Sequence, residues 1–265
     1  MPTIRPLTRR VFLRRFGTTS LAIAVLGLGA CSDSGETATT GDPTTTDQPL
    51  EPPTTQLPVA STAPDAPTTE AVRYRRVNLG FVSAYILIRA GSAAIVDTGV
   101  AGSAPDIEDG LTAVGLGWED VEHLILTHRH NDHIGSAEAV LTAAASATSY
   151  AGEADISQIP TSRPIVAVGD GDEVFGLQII HTPGHTDGHI SVLDPAGGVL
   201  VAGDALNGAA GGVTGANPDF SSDMVTANET VRKLAGLTFD TVLFGHGEPV
   251  EGGAGTLVAA LAAGL

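Results

Sequence analysis

His128-Arg129-His130-Asn131-Asp132-His133 puts three imidazoles and a carboxylate into six positions, directly after the apolar run Leu124-Ile125-Leu126. Side chains along a strand alternate faces, whereas a loop leaving a strand end can turn several of them toward one point. Imidazole nitrogen and carboxylate oxygen are the donors that a borderline divalent ion such as zinc accepts. The chain has only eight histidines, so three in one hexapeptide is a concentration that a polar surface loop does not require.

Three further places supply what that loop lacks. Thr182-Pro183-Gly184-His185-Thr186 follows a strand-like run from Val174 to Ile180 and offers a fourth imidazole on a Pro-Gly turn. Ala202-Gly203-Asp204 ends the run Gly198 to Val201 with a carboxylate, and Phe244-Gly245-His246-Gly247 follows Thr241-Val242-Leu243. Each candidate ligand stands where a strand stops, beside glycine that allows close backbone approach.

The order H-x-H-x-D-H, TPGH, GD and GHG resembles the metallo-β-lactamase-fold hydrolase superfamily. The likeness covers roughly residues 75 to 250 and includes Ile95-Val96-Asp97-Thr98-Gly99, a segment that usually precedes the histidine loop. It implies an α+β fold, a four-layer αββα sandwich with a two-metal site along one edge. Carried over position by position, His128, His130 and His185 would bind one metal. Asp132, His133 and His246 would bind the other, with Asp204 bridging. Zinc is the default cofactor, and iron or manganese fits the same donors. The resemblance further implies that two divalent ions would lower the pKa of a shared water, giving a hydroxide that attacks a carbonyl, phosphorus or sulfur centre. Asp132 would orient that nucleophile or pass its proton to the leaving group. Asp97 and His189 are candidates for fixing imidazole orientation; His189 reads equally as a half-buried polar residue opening the strand Ile190-Ser191-Val192-Leu193. His123 and His181 lie outside the pattern and read as non-ligands.

The N-terminus carries a separate message. Thr8-Arg9-Arg10-Val11-Phe12-Leu13-Arg14 resembles a twin-arginine export signal, followed by an apolar run from Leu21 to Ala30 that is too short to span a bilayer, which takes about 20 residues. Leu28-Gly29-Ala30-Cys31 resembles a lipobox, which would make Cys31 the lipidated first residue of a mature lipoprotein anchored to the outer face of the cytoplasmic membrane; a plain cleaved leader is the alternative. Substituting Arg9 and Arg10 would abolish export on this reading, and unchanged secretion would refute it. Residues 1–31 thus read as a signal peptide and 32–70 as a Thr/Pro-rich linker. The linker has too few large apolar groups to offset the entropy of ordering. Residues 71–265 form the hydrolase domain, a length that suits one core.

Composition narrows the partners. A single cysteine excludes an intramolecular disulfide. Five of the thirteen basic residues (Arg5, Arg9, Arg10, Arg14, Arg15) precede every acidic one, leaving eight against thirty, a formal charge of −22 after the leader. Such a surface repels nucleic acid and anionic headgroups, which argues against the nuclease branches of the superfamily.

Periodicity predicts strands over Tyr74–Leu79, Ala84–Ile88 and Ala93–Val96. It predicts helices from Ser103 (cap, then Pro105) with Ile107, Leu111 and Val114 inward, over Gly135–Ala143, over Ser222–Leu234 and over Thr256–Leu261. No internal repeat is evident. Residues 205–213 read as a flexible loop beside the metals, from which Asn207 would touch substrate. Asp204 stands where one large group of β-lactamases of this fold has a metal-site cysteine. His130 stands where the diiron branch has glutamate, and only about 60 residues follow Asp204, short for a glutathione-binding region. The expectation is a hydrolase of small esters, lactones or thioesters. The alternatives are a β-lactam hydrolase and a surface lipoprotein that binds a metal or ligand without turnover.

Overall fold

The computed structural model describes residues 70–210 and 212–265. The proposed signal peptide, Cys31 and all but the last residue of the proposed linker lie outside them.

The first half builds one six-stranded sheet. Strands β1 (Arg73–Asn78), β2 (Ser83–Arg89) and β3 (Ser92–Val96) form an antiparallel meander. Helix α1 (Ala104–Thr112) then crosses to β4 (Val121–Leu126), which lies parallel to β3. Short α2 (Asn131–Ile134) and α3 (Ala137–Ala143) lead to β5 (Thr148–Gly152), and α4 (Glu153–Ile156) leads to β6 (Ile165–Val168), both strands again parallel.

A second six-stranded sheet follows the same plan. It has a meander of β7 (Glu173–Val174), β8 (Leu177–His181), β9 (Ile190–Asp194) and β10 (Val199–Gly203). A hairpin of β11 (Leu206–Ala209) and β12 (Gly212–Gly215) and helix α5 (Met224–Ala235) lead to β13 (Thr241–Phe244), parallel to β10, then β14 (Val250–Glu251) and α6 (Ala254–Ala263). The two sheets run in order β1-β2-β3-β4-β5-β6 and β14-β13-β10-β9-β8-β7. Each sheet is thus an antiparallel meander joined to a parallel strand, a partial likeness that does not show as a sequence repeat; β14 is antiparallel to β13 where β5 and β6 are parallel to their neighbours.

Alternation along buried strands creates the layers. On β2, Ala84, Ile86 and Ile88 face α1 and α3 through Ile107, Leu111, Val140 and Leu141, while Tyr85 and Leu87 face the second sheet through Ile179, Val192 and Val201. That sheet turns Leu200, Val242 and Phe244 toward Val231, Leu234 and Val258 of α5 and α6. Three apolar cores between four layers make the αββα sandwich. A strand buried on both faces reads as a continuous apolar run, which is why β2 shows no alternation in sequence.

Four local expectations need correction. The helix predicted over Gly135–Ala143 is α3, which starts two residues later at Ala137, and a separate unpredicted turn before it, α2, contains Asp132 and His133. The run Val174–Ile180 is not one strand, because Phe175 and Gly176 both take positive φ and turn it into the β7–β8 hairpin. Residues 205–213 form most of the β11–β12 hairpin and not a flexible loop; Leu206 pairs with Gly215 and Asn207 with Thr214. Ser103 stands at the N-cap of α1 without a side-chain cap bond, its own N–H donating to Ser136 Oγ at 2.8 Å.

Candidate metal centre

Every candidate ligand leaves the end of a strand on one edge of the sandwich. His128 to His133 follow β4, His185 lies in the β8–β9 connection, Asp204 follows β10 and His246 follows β13. Three overlapping clusters result: His128, His130 and His185; His128, His133 and Asp204; Asp132, His133 and His246. In each, the donor atoms lie within 4.8 Å of one another. His130 Nδ1 is 3.1 Å from His128 Nε2 and 2.9 Å from His185 Nε2. His246 Nε2 is 3.3 Å from Asp132 Oδ2 and 3.4 Å from His133 Nε2. Asp204 spans the groups, its carboxylate oxygens 3.4 Å from His185 Nε2, 3.3 Å from His133 Nε2 and 3.2 Å from His246 Nε2. Tetrahedral zinc with bonds of about 2.0–2.1 Å separates its ligands by roughly 3.3 Å, so this spacing suits a cation.

The outward nitrogens fix the rings. Phe81 O accepts from His246 Nδ1 at 2.7 Å, which leaves Nε2 as the nitrogen turned into the cluster. Asp97 Oδ2 lies 2.8 Å from His133 Nδ1 and also accepts from Thr127 Oγ1 at 2.7 Å; that hydroxyl is 3.0 Å from His128 Nδ1. Asp97 therefore holds one imidazole directly and a second through Thr127, from a left-handed backbone position at φ 61°. Ser221 Oγ meets His185 Nδ1 at 3.1 Å. His189 does something other than orient a ring. Its Nε2 accepts the Asp204 N–H at 3.0 Å, while its Nδ1 meets Thr182 Oγ1 at 2.8 Å, so it positions the backbone of the central carboxylate. Asn207 lines the adjoining cleft, but its Nδ2 donates to Gly215 O at 3.1 Å and ties the hairpin. His123 packs on Tyr150 and Phe175, and His181 Nε2 meets Asp187 O, both away from the cluster.

One support escaped the sequence reading, and one glycine it noted has a specific role. Buried Asp155 accepts from Arg129 N–H and Nη1, from Thr186 Oγ1 and from Gly188 N–H at 2.6–3.1 Å, joining the two histidine-bearing loops. No spacing rule links Asp155 to either loop. Gly245 matters through what it lacks: a Cβ there would lie 2.2 Å from Asp204 Oδ1 and 2.5 Å from His133 Cε1.

The electrostatics call for positive charge. Burial and the neighbouring His133 hold His128 well below its ordinary pKa, and burial drives His185 down to about 4. Burial also opposes charge on His133, yet Asp204 and Asp97 outweigh it and hold that ring well above the ordinary value. Hydrogen bonds to Asp132 and then Asp204 push His246 up to about 10. Against its own burial, Asp204 stays well below the carboxylate range because His133 and His246 face it. Even so, Asp204 Oδ1 is buried without a hydrogen bond. Two imidazolium protons thus occupy the electrostatic place a divalent cation would take, and the donor set fits one.

The cluster floors a cleft of about 1250 Å³ that His130, Asp132, His185, Asp204 and His246 all reach.

Comparison with known proteins gives a consistent result. Residues 77–246 match the family model described as the metallo-beta-lactamase superfamily. A probable metallo-hydrolase of Bacillus subtilis (strain 168) is 30% identical over 211 residues, covering 60% of this chain and 76% of the relative. A hydroxyacylglutathione hydrolase of Aeromonas salmonicida (strain A449) is 32% identical over 155 residues, 57% of this chain and 54% of that one; the chain spans about half the length of such relatives. A metallo-beta-lactamase family protein from Thermus thermophilus superposes with a TM-score of 0.59 at 24% identity, over 73% of this chain and 79% of that one. The likeness to it shows the shared fold.

Proposed function

Because the chain belongs to the metallo-beta-lactamase superfamily, we propose that it is a metallo-hydrolase whose seven-residue centre holds two divalent ions, zinc by default, and hydrolyses an ester, lactone, thioester or related small acyl compound. The observation that carries this reading is the convergence of five imidazoles and two carboxylates on the floor of an open cleft. Structural zinc sites are closed by protein ligands, whereas catalytic ones keep a face accessible. Accessibility favours turnover over a metal-binding lipoprotein that only captures its ligand.

His128, His130 and His185 would hold one ion, Asp132, His133 and His246 the other, with Asp204 between them. When bound, the ions supply a nucleophile at neutral pH and Lewis-acid polarisation of the acyl oxygen. The chain's own residues do the rest. Asp97 and Thr127 keep His133 and His128 in the tautomers that present Nε2 inward. His189 fixes Asp204 through its backbone. Asp132, half-exposed on the cleft floor, is placed to accept the nucleophile's proton and return it to the leaving group.

The test is a panel of nitrophenyl esters, lactones, acyl thioesters and a chromogenic cephalosporin, run on the zinc-loaded full chain before and after chelation. Acyl hydrolysis lost with the metal and restored by zinc supports the proposal. Turnover of the cephalosporin alone would move the assignment to β-lactams, and two bound metals with no turnover would favour the binder.

A further inference from the structure

The cleft beside the metal centre is large, apolar and, among the described residues, lined by no lysine or arginine. Its volume of about 1250 Å³ exceeds the roughly 300–1,000 Å³ of the usual small-molecule pocket. Phe81, Val100, Ile134, Pro160, Pro218 and Phe220 contribute its apolar wall. Phe81 is 64% exposed and Phe220 67%, and they are the two aromatic side chains among the exposed large apolar residues described. Exposed aromatics concentrated in one concavity mark a binding surface more than an accident of folding. The apolar surface begins at the centre itself, because the Phe81 ring stacks on His246 with centroids 6.0 Å apart and planes 9° from parallel.

Charge decides what that surface accepts. Among the described residues, no lysine or arginine lines the cleft. Arg76, next to the His246 loop in space, is held by Glu248 and Gly247 O. Arg129, inside the histidine loop, is turned to Asp155. Apart from the candidate ligands, the ionisable group in the wall is Glu138, a carboxylate fixed by Ser162 Oγ and N–H at 2.6 and 2.8 Å. A substrate carboxylate placed there would lose its hydration and meet a like charge with no counter-ion.

Resting on the hydrolase reading, we propose that the cleft takes uncharged acyl substrates bearing an extended alkyl chain and discriminates against chains that end in a carboxylate. The metal-facing end is the reacting acyl group, and the alkyl chain lies along Phe81 and Phe220.

The test uses binding, so that it stands apart from turnover. Acetohydroxamic acid, octanohydroxamic acid and the eight-carbon hydroxamic acid ending in a carboxylate share one metal-binding head. Each is titrated calorimetrically into the zinc-loaded full chain. Six added methylenes at about twofold each, half of full burial, predict octanohydroxamate roughly 60-fold tighter than acetohydroxamate. The terminal carboxylate should remove at least about tenfold of that gain. Phe220→Ala should weaken octanohydroxamate about tenfold and leave acetohydroxamate unchanged. The proposal is overturned if the carboxylate-ended probe binds as tightly as octanohydroxamate, if chain length has no effect, or if no hydroxamate binds. The predicted order in a chain that hydrolyses nothing on the panel would retain the cleft assignment and discard the hydrolase. Ester hydrolysis with the reverse order would do the opposite.

Discussion

His133 and His246 have the same problem from two directions. Each faces carboxylates that favour an imidazolium, and each offers the nitrogen a metal needs. Their folded-state pKa values are raised above the ordinary 6.5, to about 10 for His246, so in the metal-free protein both rings are charged at pH 7. The sign of the linkage follows. Pairing with Asp204, Asp97 and Asp132 stabilises the metal-free fold fully below about pH 6.5, and that stability is lost as pH rises through the folded-state values. A metal takes the place of those protons, so affinity should rise with pH, and zinc binding at pH 7 should release about two protons per chain from these rings and one more from the water the ions ionise. Titration in two buffers of different ionisation enthalpy measures this directly. Proton-neutral zinc binding would contradict it.

Elements matter here because the ligands come from four different strand ends that must be held in register. Asp155, on α4, joins the loop after β4 to the β8–β9 connection through four hydrogen bonds, while its side chain is fully buried. Asp155→Ala should cost about 3 kcal/mol or more, by stranding the two Arg129 donors and those of Thr186 and Gly188. It should also weaken the zinc held by His128, His130 and His185. Chemical denaturation of the metal-free variant and a zinc-chelator competition give the two readouts; unchanged zinc affinity would mean the loops are registered by other contacts. The sequence made four ligands legible by crowding them into one hexapeptide, and His185, Asp204 and His246 because each follows a strand-like run and stands beside glycine. Asp97 was legible from its place before the histidine loop. Thr127, Ser221, Asp155 and the Phe81 carbonyl were not, because their role depends on which loops meet in space. The β11–β12 hairpin was missed for a related reason. Apart from Val213 and Thr214 its strands are short and poor in strand-forming residues, and backbone pairing together with Asn207 to Gly215 holds them.

At the scale of the molecule, three apolar cores and two six-stranded sheets support the centre without an intramolecular disulfide, since the chain has one cysteine. Each metal bound to the native state at about a thousand times its Kd would add about 4 kcal/mol, and chelation of both should therefore lower the melting temperature by about 20 °C. A scan with and without chelator measures it, and an unchanged transition would mean the fold does not depend on its edge site. The four-layer sandwich was legible as a whole only through the ligand motifs, because the doubly buried strands show no alternation. Its two halves became visible only as strand order. The most direct measurement is crystallographic. Anomalous scattering at the zinc edge from crystals of the zinc-loaded chain should show two ions, one among His128, His130 and His185 and one among Asp132, His133 and His246, with Asp204 touching both. Zinc peaks elsewhere, or none at these seven side chains, would contradict the account.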